Sequence, residues 1–282
     1  MSLQDLSSEE PWDDPFDIDT SVAHPARRYN YWLGGSDNFE ADRASGDALV
    51  AAFPSIKLAA IENRNFLRRA VAYLVKEAGV RQFLDIGTGI PSADNVHEVA
   101  QSLAPESRVV YVDNDPIVLA HARRLLASTP AGGVTTYIHA DLHEPESILG
   151  NADLRRTLDL DQPVALMLIW VLHFFEDADD PYGRVATLTD ALAPGSHLVI
   201  SHATADFMPA DMKNAITTTY ARNRSRDPFQ MRDKAAFGRF FDGMELVPPG
   251  IQSISDWRND DPPDQRVSAV DTSSYGAVAR IR

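Results

Sequence analysis

The chain alternates between continuous apolar runs and segments whose apolar residues are spaced three or four apart. QFLDI, which begins at Gln82, and PVALMLIWVL, which begins at Pro163, are continuous runs, whereas the segment from Ala59 to Ala78 has helical spacing. A short continuous run predicts a strand buried on both faces, and helical spacing predicts a helix with one buried face. Strands and helices that alternate in this way predict a parallel sheet covered by helices.

The same criteria assign elements along most of the chain. Strands are predicted within 80–87, 107–115, 134–142, 163–172 and 195–204, with two late strands near 244–254 and 273–282. Helices are predicted at 42–53, 59–78, 93–103, 116–128, 181–192, 209–223 and 231–241, and over part of 145–158. Gly79 is placed to end the second helix, and Pro116 is placed to open the fourth. The segment 25–41 is predicted to be an ordered loop.

The chain is predicted to hold one domain behind an acidic tail. Residues 1–24 are rich in acidic residues and are expected to be disordered. Residues 25–282 are predicted to form a single domain with three parts. These parts are an N-terminal extension at 25–78, a nucleotide-binding core at 79–205 and C-terminal helices with the final strands at 206–282.

Composition narrows the classes of function. The net charge of −15 argues against a broad nucleic-acid surface, which needs lysine and arginine facing phosphates. No cysteine is present, which excludes disulfides and thiolate ligands. The longest apolar run, Val164 to Phe175, is too short to span a bilayer, and the first residues lack the basic start of a signal peptide. We therefore predict a cytoplasmic protein that binds neither nucleic acid nor a membrane. Apolar residues around Phe237–Phe241 are predicted to be exposed, which would allow a homodimer.

Polar residues and glycines stand at the ends of the first three predicted strands. LDIGTG places Gly87 and Gly89 after the first strand, where the backbone can approach a ligand without an intervening Cβ. Asp113 ends the second strand, where a carboxylate can accept two hydrogen bonds from a ribose diol. Asp141 ends the third strand, where a carboxylate can accept a bond from an adenine amino group. These three strand ends together predict a nucleoside site.

Two kinds of nucleoside fit this pattern. A dinucleotide fingerprint needs a glycine or alanine at the sixth position of its turn, and this chain has Ser92 there after Pro91. A nicotinamide-dependent oxidoreductase is therefore disfavoured. The succession FLDIGTG, VVYVDNDP, HADL and LMLIWVLHFF, over residues 80–205, instead resembles class I S-adenosylmethionine-dependent methyltransferases.

A longer resemblance covers nearly the whole chain. ARRYNYWLGGSDNFEADR, ENRNFLRRAV, RQFLDIGTGIP and VVYVDNDPIVLAHAR, with a late FFDGMELVPPGI, resemble the actinobacterial S-adenosyl methyltransferase family, formerly a domain of unknown function. The resemblance implies an α/β fold with a Rossmann-like sheet of seven strands, the last antiparallel, between layers of helices. It implies S-adenosylmethionine as cofactor and S-adenosylhomocysteine as product, and it names no acceptor.

The resemblance also implies roles for individual residues. The part of the cofactor site that holds the methionine portion would be formed by Asp85, Gly87, Thr88 and Gly89. Asp113 would hold the ribose. The adenine would be met by Asn114, Asp141 and Leu142, and Trp170 and Val171 would border the transfer site.

Four features of the sequence each have more than one interpretation. Tyr29, Tyr31 and Trp32 would form an aromatic lid hinged at Gly34–Gly35, with Tyr29, Tyr31 and Gly34 within reach of the cofactor, or else the rings only cover the sheet end. His173 would be a general base, or else a pocket wall or strand cap. His139, Asp141 and His143 have metal-ligand spacing, but the better-motivated role of Asp141 favours no metal. The basic stretch 223–234 would dock an anionic substrate or be a solvated loop.

The leading hypothesis is a methyltransferase that transfers a methyl group in line to an unidentified small molecule. The first alternative is a non-catalytic adenosylmethionine-binding protein with a regulatory or scaffold role, because no clear acid–base group stands out. A nicotinamide-dependent oxidoreductase is the second alternative.

Overall fold

The computed structural model describes residues 18–92, 94–118, 133–222 and 228–282. Most of the predicted acidic tail and most of the helix predicted from Pro116 lie outside the described residues. The described strands are β1 (Gln82–Ile86), β2 (Arg108–Asp113), β3 (Thr135–His139), β4 (Ala165–Ile169), β5 (His197–Ala203), β6 (Glu245–Leu246), β7 (Gln252–Ser253) and β8 (Ser274–Arg280). The described α-helices are α1 (Pro25–Trp32), α2 (Glu40–Ala52), α3 (Ile56–Lys76), α4 (Val96–Leu103), α5 (Pro145–Gly150), α6 (Ala152–Thr157), α7 (Pro181–Asp190), α8 (Ala210–Arg222), α9 (Lys234–Gly238) and α10 (Ala269–Thr272).

The described strands form one mixed sheet in the order β3-β2-β1-β4-β5-β8-β6, with β7 also paired to β8. Strands β1 to β5 run parallel, and β8 runs antiparallel to β5, as expected. With the two-residue strands β6 and β7, the described sheet has eight strands, one more than the seven that the family resemblance implied. The strand order reverses between β1 and β4, and such a switch point opens a crevice at the carboxyl ends of the strands.

Each face of the sheet is covered by its own apolar layer. Leu84 and Ile86 of β1 face one layer, while Phe83 faces the other, because side chains alternate along a strand. The second layer is completed by α3, whose Phe66 and Leu74 are fully buried. Burial on both faces explains why the central strands are continuous apolar runs.

Helix α3 begins three residues earlier and ends two residues earlier than predicted, just before the predicted terminating glycine. It starts at Ile56, and Gly79 follows it with a φ of +72°, while the Val80 amide donates to the Leu74 carbonyl. Ile61, which helical spacing placed on the buried face, is 48% exposed. The α3 face toward the sheet instead begins beyond it, at Phe66.

The predicted loop at 25–41 is wrong in its first part, where the chain forms α1. Pro25 opens the helix directly after His24. The helix buries Arg27 and Arg28 together with Trp32. Hydrophobic periodicity could not find this helix because its buried face carries charges.

The apolar stretch around Phe237–Phe241 is inside the domain rather than on its surface. Phe237, Phe240 and Phe241 are 0%, 3% and 4% exposed and belong to the core layer under β5 and β8. The prediction that these residues offer a dimer surface is therefore wrong.

Within the described residues, no single helix has both the length and the apolar composition to cross a membrane. Helices α2 and α3 meet those two criteria only when they are counted together, across a bend of 99°.

Close packing of β8 against α3 yields a prediction about stability. A Cβ added to Gly276 would lie 2.7 Å from Cε2 of Phe66 and 3.1 Å from Cγ2 of Ile254. We expect Gly276→Ala to lower the free energy of unfolding by about 1–3 kcal/mol, because the core must shift to admit the methyl group. Urea unfolding measures the change.

Gly150→Ala is the matched control. Gly150 ends α5, and a Cβ there meets nothing within 4 Å. The control is expected to unfold at a midpoint equal to or slightly above that of the parent chain. Equal midpoints for Gly276→Ala and the parent would contradict the packing described for β8 and α3.

Candidate functional site

A cavity of about 320 Å³ opens where the carboxyl ends of β1 to β4 meet α1. Its volume lies in the range of small-molecule sites. Twelve of the residues singled out from the sequence line it: Tyr29, Asp85, Gly87, Thr88, Gly89, Asp113, Asn114, Asp141, Leu142, Trp170, Val171 and His173. The strand-end pattern therefore predicted the location of the cavity.

The glycine turn depends on the absence of side chains. Gly87 and Gly89 have φ values of +73° and +68°, in the left-handed region that favours glycine. A Cβ on Gly87 would lie 2.6 Å from Cγ2 of Val171, so the turn after β1 packs directly against the loop after β4. Both residues of this contact line the cavity, and the backbone of the turn stays close to it.

Asp113 braces the glycine turn from the end of β2. Its Oδ2 accepts a hydrogen bond from the Gly89 amide at 2.7 Å, and its Oδ1 accepts one from the Asp115 amide at 2.9 Å. Burial raises the pKa of the Asp113 carboxyl, although these two amides favour the ionised form. A carboxylate offers about four acceptor positions. Two therefore remain for a ligand diol.

Asp115 ties α1 to the same place, and sequence reasoning missed this residue. Its carboxylate accepts from Nε of Arg27 at 3.0 Å and lies 3.1 Å from Nδ1 of His24. The Asp115 side chain is fully buried. Burial opposes ionisation, but bonds from His24 and Arg27 outweigh it and hold the pKa of Asp115 well below its usual range. The ion pair fixes α1 as the roof of the cavity.

Asp85 is a buried residue whose carboxyl group is subject to opposing effects on its ionisation. Burial raises its pKa to about 7, and the nearby Asp113 adds to that rise. The charge of Arg64 and a hydrogen bond from the Thr88 side chain act in the opposite direction. Arg64 lines the cavity and donates to Oδ1 of Asn95 at 3.2 Å. The stretch of α3 that holds Arg64 contributes to the family resemblance, but the sequence pattern assigns this arginine no role.

Asp141 is held in place at the end of β3 by its neighbours. The side-chain amide of Asn114 donates to Oδ2 of Asp141 at 3.1 Å, and the backbone amide of His143 donates to Oδ1 of Asp141 at 2.8 Å. Burial favours the neutral acid, but these bonds and the His143 ring together lower the pKa of Asp141. His139 does not join this carboxylate, since its Nε2 lies 3.1 Å from the Asn114 carbonyl. No set of three metal-binding side chains occurs in the part of the chain that the structure describes.

Trp170 sits in a strained conformation at the end of β4. Its φ is +54°, which is uncommon for a residue with a bulky side chain. Its amide donates to both the carbonyl and the Oγ of Ser201, and its indole Nε1 donates to Oγ of Ser274 at 2.9 Å. The Tyr29 ring stands edge-on to the indole, with ring centres 5.6 Å apart. These contacts hold both rings in fixed positions beside the cavity.

A buried polar chain fixes Tyr29 from behind. Its hydroxyl donates to the Ala60 carbonyl at 3.0 Å and accepts from Nδ2 of Asn63 at 3.1 Å. Oδ1 of Asn63 accepts in turn from Oγ of Ser201 at 2.6 Å. The roof helix, α3 and β5 are thereby connected through hydrogen bonds.

The expected aromatic lid is divided, because Tyr29 and Trp32 line the cavity and the rest does not. Tyr31 and Gly34 are not among the residues that line the cavity. The Tyr31 hydroxyl donates to Oδ1 of Asp47 at 2.7 Å, and Gly34 forms the turn after α1, with a φ of +81°. Successive helical positions point in different directions, which separates Tyr31 from Tyr29. Trp32, three positions after Tyr29, does line the cavity.

His173 follows Trp170 in a short turn that a buried arginine organises. Arg232 is 2% exposed, and its guanidinium donates to the carbonyls of Leu172 and Phe175 at 3.1 and 3.0 Å and to Oδ1 of Asp177 at 2.8 Å. The expectation of a solvated loop at 223–234 is wrong at Arg232. Residues 223–227 of that stretch lie outside the described residues.

Comparison with known proteins agrees with this geometry. A model of the S-adenosyl methyltransferase family matches residues 12–282. The chain is 48% identical to a DUF574 family protein from Streptomyces avermitilis, with a TM-score of 0.88 over 94% of this chain and 99% of that chain. It is 39% identical to a candidate methyltransferase from Thermobifida fusca, with a TM-score of 0.86 over 97% and 100% of the two chains.

A more distant likeness concerns the fold alone. An O-methyltransferase family protein from Burkholderia thailandensis is 14% identical, with a TM-score of 0.52 over 80% of this chain and 58% of that chain. No protein with a curated description matches. The family match covers nearly the whole chain and confirms the predicted family and cofactor. The chain belongs to the S-adenosyl methyltransferase family and is an S-adenosylmethionine-dependent methyltransferase.

Proposed function

We propose that the acceptor is a small molecule and that it binds in the same cavity as the cofactor, beyond the end of β4. The observation that carries this proposal is the cavity at the strand ends, which is lined both by strand-end aspartates and by aromatic and aliphatic side chains. A pocket of about 320 Å³ suits small molecules. In-line transfer to an acceptor needs the two sites to be continuous.

The residues of the cavity fit the cofactor. Glycine at position 87 lets the turn after β1 pack against Val171, where a Cβ would collide, and this turn lines the cavity at the place proposed for the methionine part. The ionisable carboxyl of Asp85, near Thr88, is suited to the methionine ammonium group. Two unused acceptor positions on Asp113 suit the ribose diol, and the ordered Asn114–Asp141 pair suits the adenine edge.

The protein's part in the reaction is positioning and exclusion of water. The bound cofactor supplies an activated methyl group on a sulfonium, so the chain needs to align the reacting atoms rather than activate them. Trp170 and Val171 would border the transfer point, because they join the glycine turn to the His173 turn. His173 would accept the acceptor's proton.

Replacement of Asp113 tests the nucleoside assignment. We expect Asp113→Ala to weaken S-adenosylhomocysteine binding at least about tenfold, or about 1.4 kcal/mol, because charge-assisted bonds to the ribose disappear. Isothermal titration calorimetry measures the affinity. Asp161→Ala, at an exposed site before β4, removes the same group away from the cavity and should bind as the parent does. Unchanged affinity in Asp113→Ala would remove the ribose role.

The raised pKa of Asp85 predicts how cofactor binding depends on pH. The folded, ligand-free protein holds Asp85 largely protonated below pH 7, so ionising it costs stability as the pH rises from about 4 to 7. A ligand ammonium group favours the ionised form. We therefore expect the affinity for S-adenosylmethionine to rise about eightfold from pH 6 to pH 7.5, as the ionised fraction of a group with a pKa near 7 does.

Asp85→Asn is the control for this pH dependence. It keeps the shape of the side chain and removes the titrating group, so its affinity should be weaker and nearly constant over the same interval. Calorimetric titrations at pH 6 and 7.5 compare the two proteins. An equally steep pH dependence in Asp85→Asn would assign the effect to another group.

A further inference from the structure

Aromatic rings surround the end of the cavity that lies beyond β4. We call this end the acceptor chamber and define it by Tyr29, Trp170, His173, Phe174 and Phe229. The His173 ring stands 5.9 Å from the Trp170 ring, 4.3 Å from Phe174 and 5.3 Å from Phe229, measured between ring centres. Aromatic walls favour flat aromatic ligands, which stack on them or meet them edge-on.

The far wall of the acceptor chamber is a tightly stacked pair of rings. Tyr220 of α8 lies parallel to Phe229, with ring centres 3.8 Å apart and an angle of 3° between the planes. Met208 and Ile216 also line the cavity there. A methionine thioether adapts to irregular ligand outlines. The wall is flat where the rings lie and adjustable beside them.

His173 is the one polar side chain that defines the acceptor chamber and has an unmet hydrogen-bonding need. It is 4% exposed, and its Nδ1 is buried without a hydrogen-bond partner in the described residues. Since a buried polar atom without a partner is costly, the ring is suited to a ligand that supplies one. No protein bond to Nδ1 fixes the tautomer, so the imidazole can present an acceptor nitrogen to the ligand.

The turn that carries His173 is rigid. Arg232 binds the carbonyl groups of Leu172 and Phe175, on either side of the histidine, and the Gln230 amide donates to the His173 carbonyl at 2.8 Å. The imidazole is therefore positioned before a ligand arrives. Arg232 acts through the backbone and is a positioning residue.

The charges near His173 oppose a cationic ligand. Burial lowers the pKa of His173 well below its usual value, and His202, Arg232 and Arg28 lower it further by disfavouring another positive charge. The nearby carboxylate of Asp177 is 60% exposed and already paired with Arg232. Burial and these positive charges would disfavour a ligand ammonium group in the acceptor chamber, as they disfavour a protonated His173.

We propose, on the basis of the small-molecule function proposed above, that the acceptor is a planar aromatic compound whose hydroxyl group donates a hydrogen bond to His173. The hydroxyl oxygen forms a bond to the methyl carbon while the carbon–sulfur bond breaks, and the bonding pair of electrons stays with sulfur. The hydroxyl proton passes to the His173 imidazole and then to water. Because the proton becomes strongly acidic as the oxygen is methylated, a weakly basic imidazole is sufficient.

Matched probes test this proposal by binding to the protein saturated with S-adenosylhomocysteine. Each set carries a hydroxyl, a methyl or a protonated aminomethyl group on one ring system. The sets are phenol, toluene and benzylamine; 2-naphthol, 2-methylnaphthalene and 2-naphthylmethylamine; and 4-phenylphenol, 4-methylbiphenyl and 4-phenylbenzylamine. Intrinsic tryptophan fluorescence and calorimetry report binding, and transfer of a radiolabelled methyl group reports turnover.

We expect the hydroxyl member of at least one set to bind at least tenfold more tightly than both of its partners and to be methylated. His173→Asn and His173→Phe should each reduce that preference to less than threefold and turnover by at least a hundredfold. The affinity for S-adenosylhomocysteine should stay within twofold. Two variants are used so that a folding defect in one does not decide the result.

His197→Asn is the matched control. His197 is also buried with an unpartnered Nδ1 in the described residues, but it lies at the start of β5, away from the cavity lining. Its replacement should leave probe preference unchanged.

The outcomes separate this proposal from the one it rests on. A protein that binds S-adenosylhomocysteine but prefers the aminomethyl or methyl probes, or binds none of the nine, would overturn the hydroxyl proposal alone. Loss of hydroxyl preference in His197→Asn to the same extent as in the His173 variants would also overturn it. A parent protein that does not bind S-adenosylhomocysteine would overturn the proposed function itself.

Discussion

The site depends on a pair of aspartates two residues apart, which connect the glycine turn, the end of β2 and the roof helix. Asp113 holds the Gly89 amide, and Asp115 holds Arg27 and His24 of the segment that begins α1. Removing one partner of a buried ion pair costs several kcal/mol because the other charge is left without compensation. The roof of the cavity and the floor under the nucleoside are thus fixed by the same short stretch of chain. A cofactor that binds Asp113 therefore contacts the residue that accepts the amide of Asp115, the aspartate that holds α1.

The two ends of the cavity are lined by different parts of the fold and by different types of side chain. The nucleoside end comes from strand tips of the parallel core, where the fold itself brings carboxylates and free amides together. The acceptor chamber combines the turn after β4 with segments outside that core: α1, α8 and the chain around Phe229. Segments of this kind can change without disturbing the sheet, so one core can serve different acceptors. In this chain they supply Tyr29 and Phe229, and the turn after β4 supplies Trp170, His173 and Phe174.

The parts that sequence predicted are those with a local signal. Continuous apolar runs gave the parallel strands, and their polar ends located Asp85, Asp113, Asp141 and Trp170 at one cavity. Helix α1 was missed because its buried face is charged, and no apolar period marks it. The sequence around Arg232 predicts a solvated loop, because it contains no sign that carbonyl groups distant in sequence surround the guanidinium. Asp115 was passed over since its partners lie in α1, far away in sequence. Long-range pairing of charges was the information that the sequence pattern did not contain.

The decisive experiment is a crystal structure of the protein with S-adenosylhomocysteine. We expect the ribose hydroxyls at hydrogen-bond distance from Asp113, about 3 Å, with the adenine between Asn114 and Leu142. We also expect the amino-acid part over Gly87 beside Asp85, and the sulfur directed past Trp170 toward His173. A nucleoside bound in the acceptor chamber, or with its amino-acid part at Asp141, would contradict the assignment of both ends of the cavity.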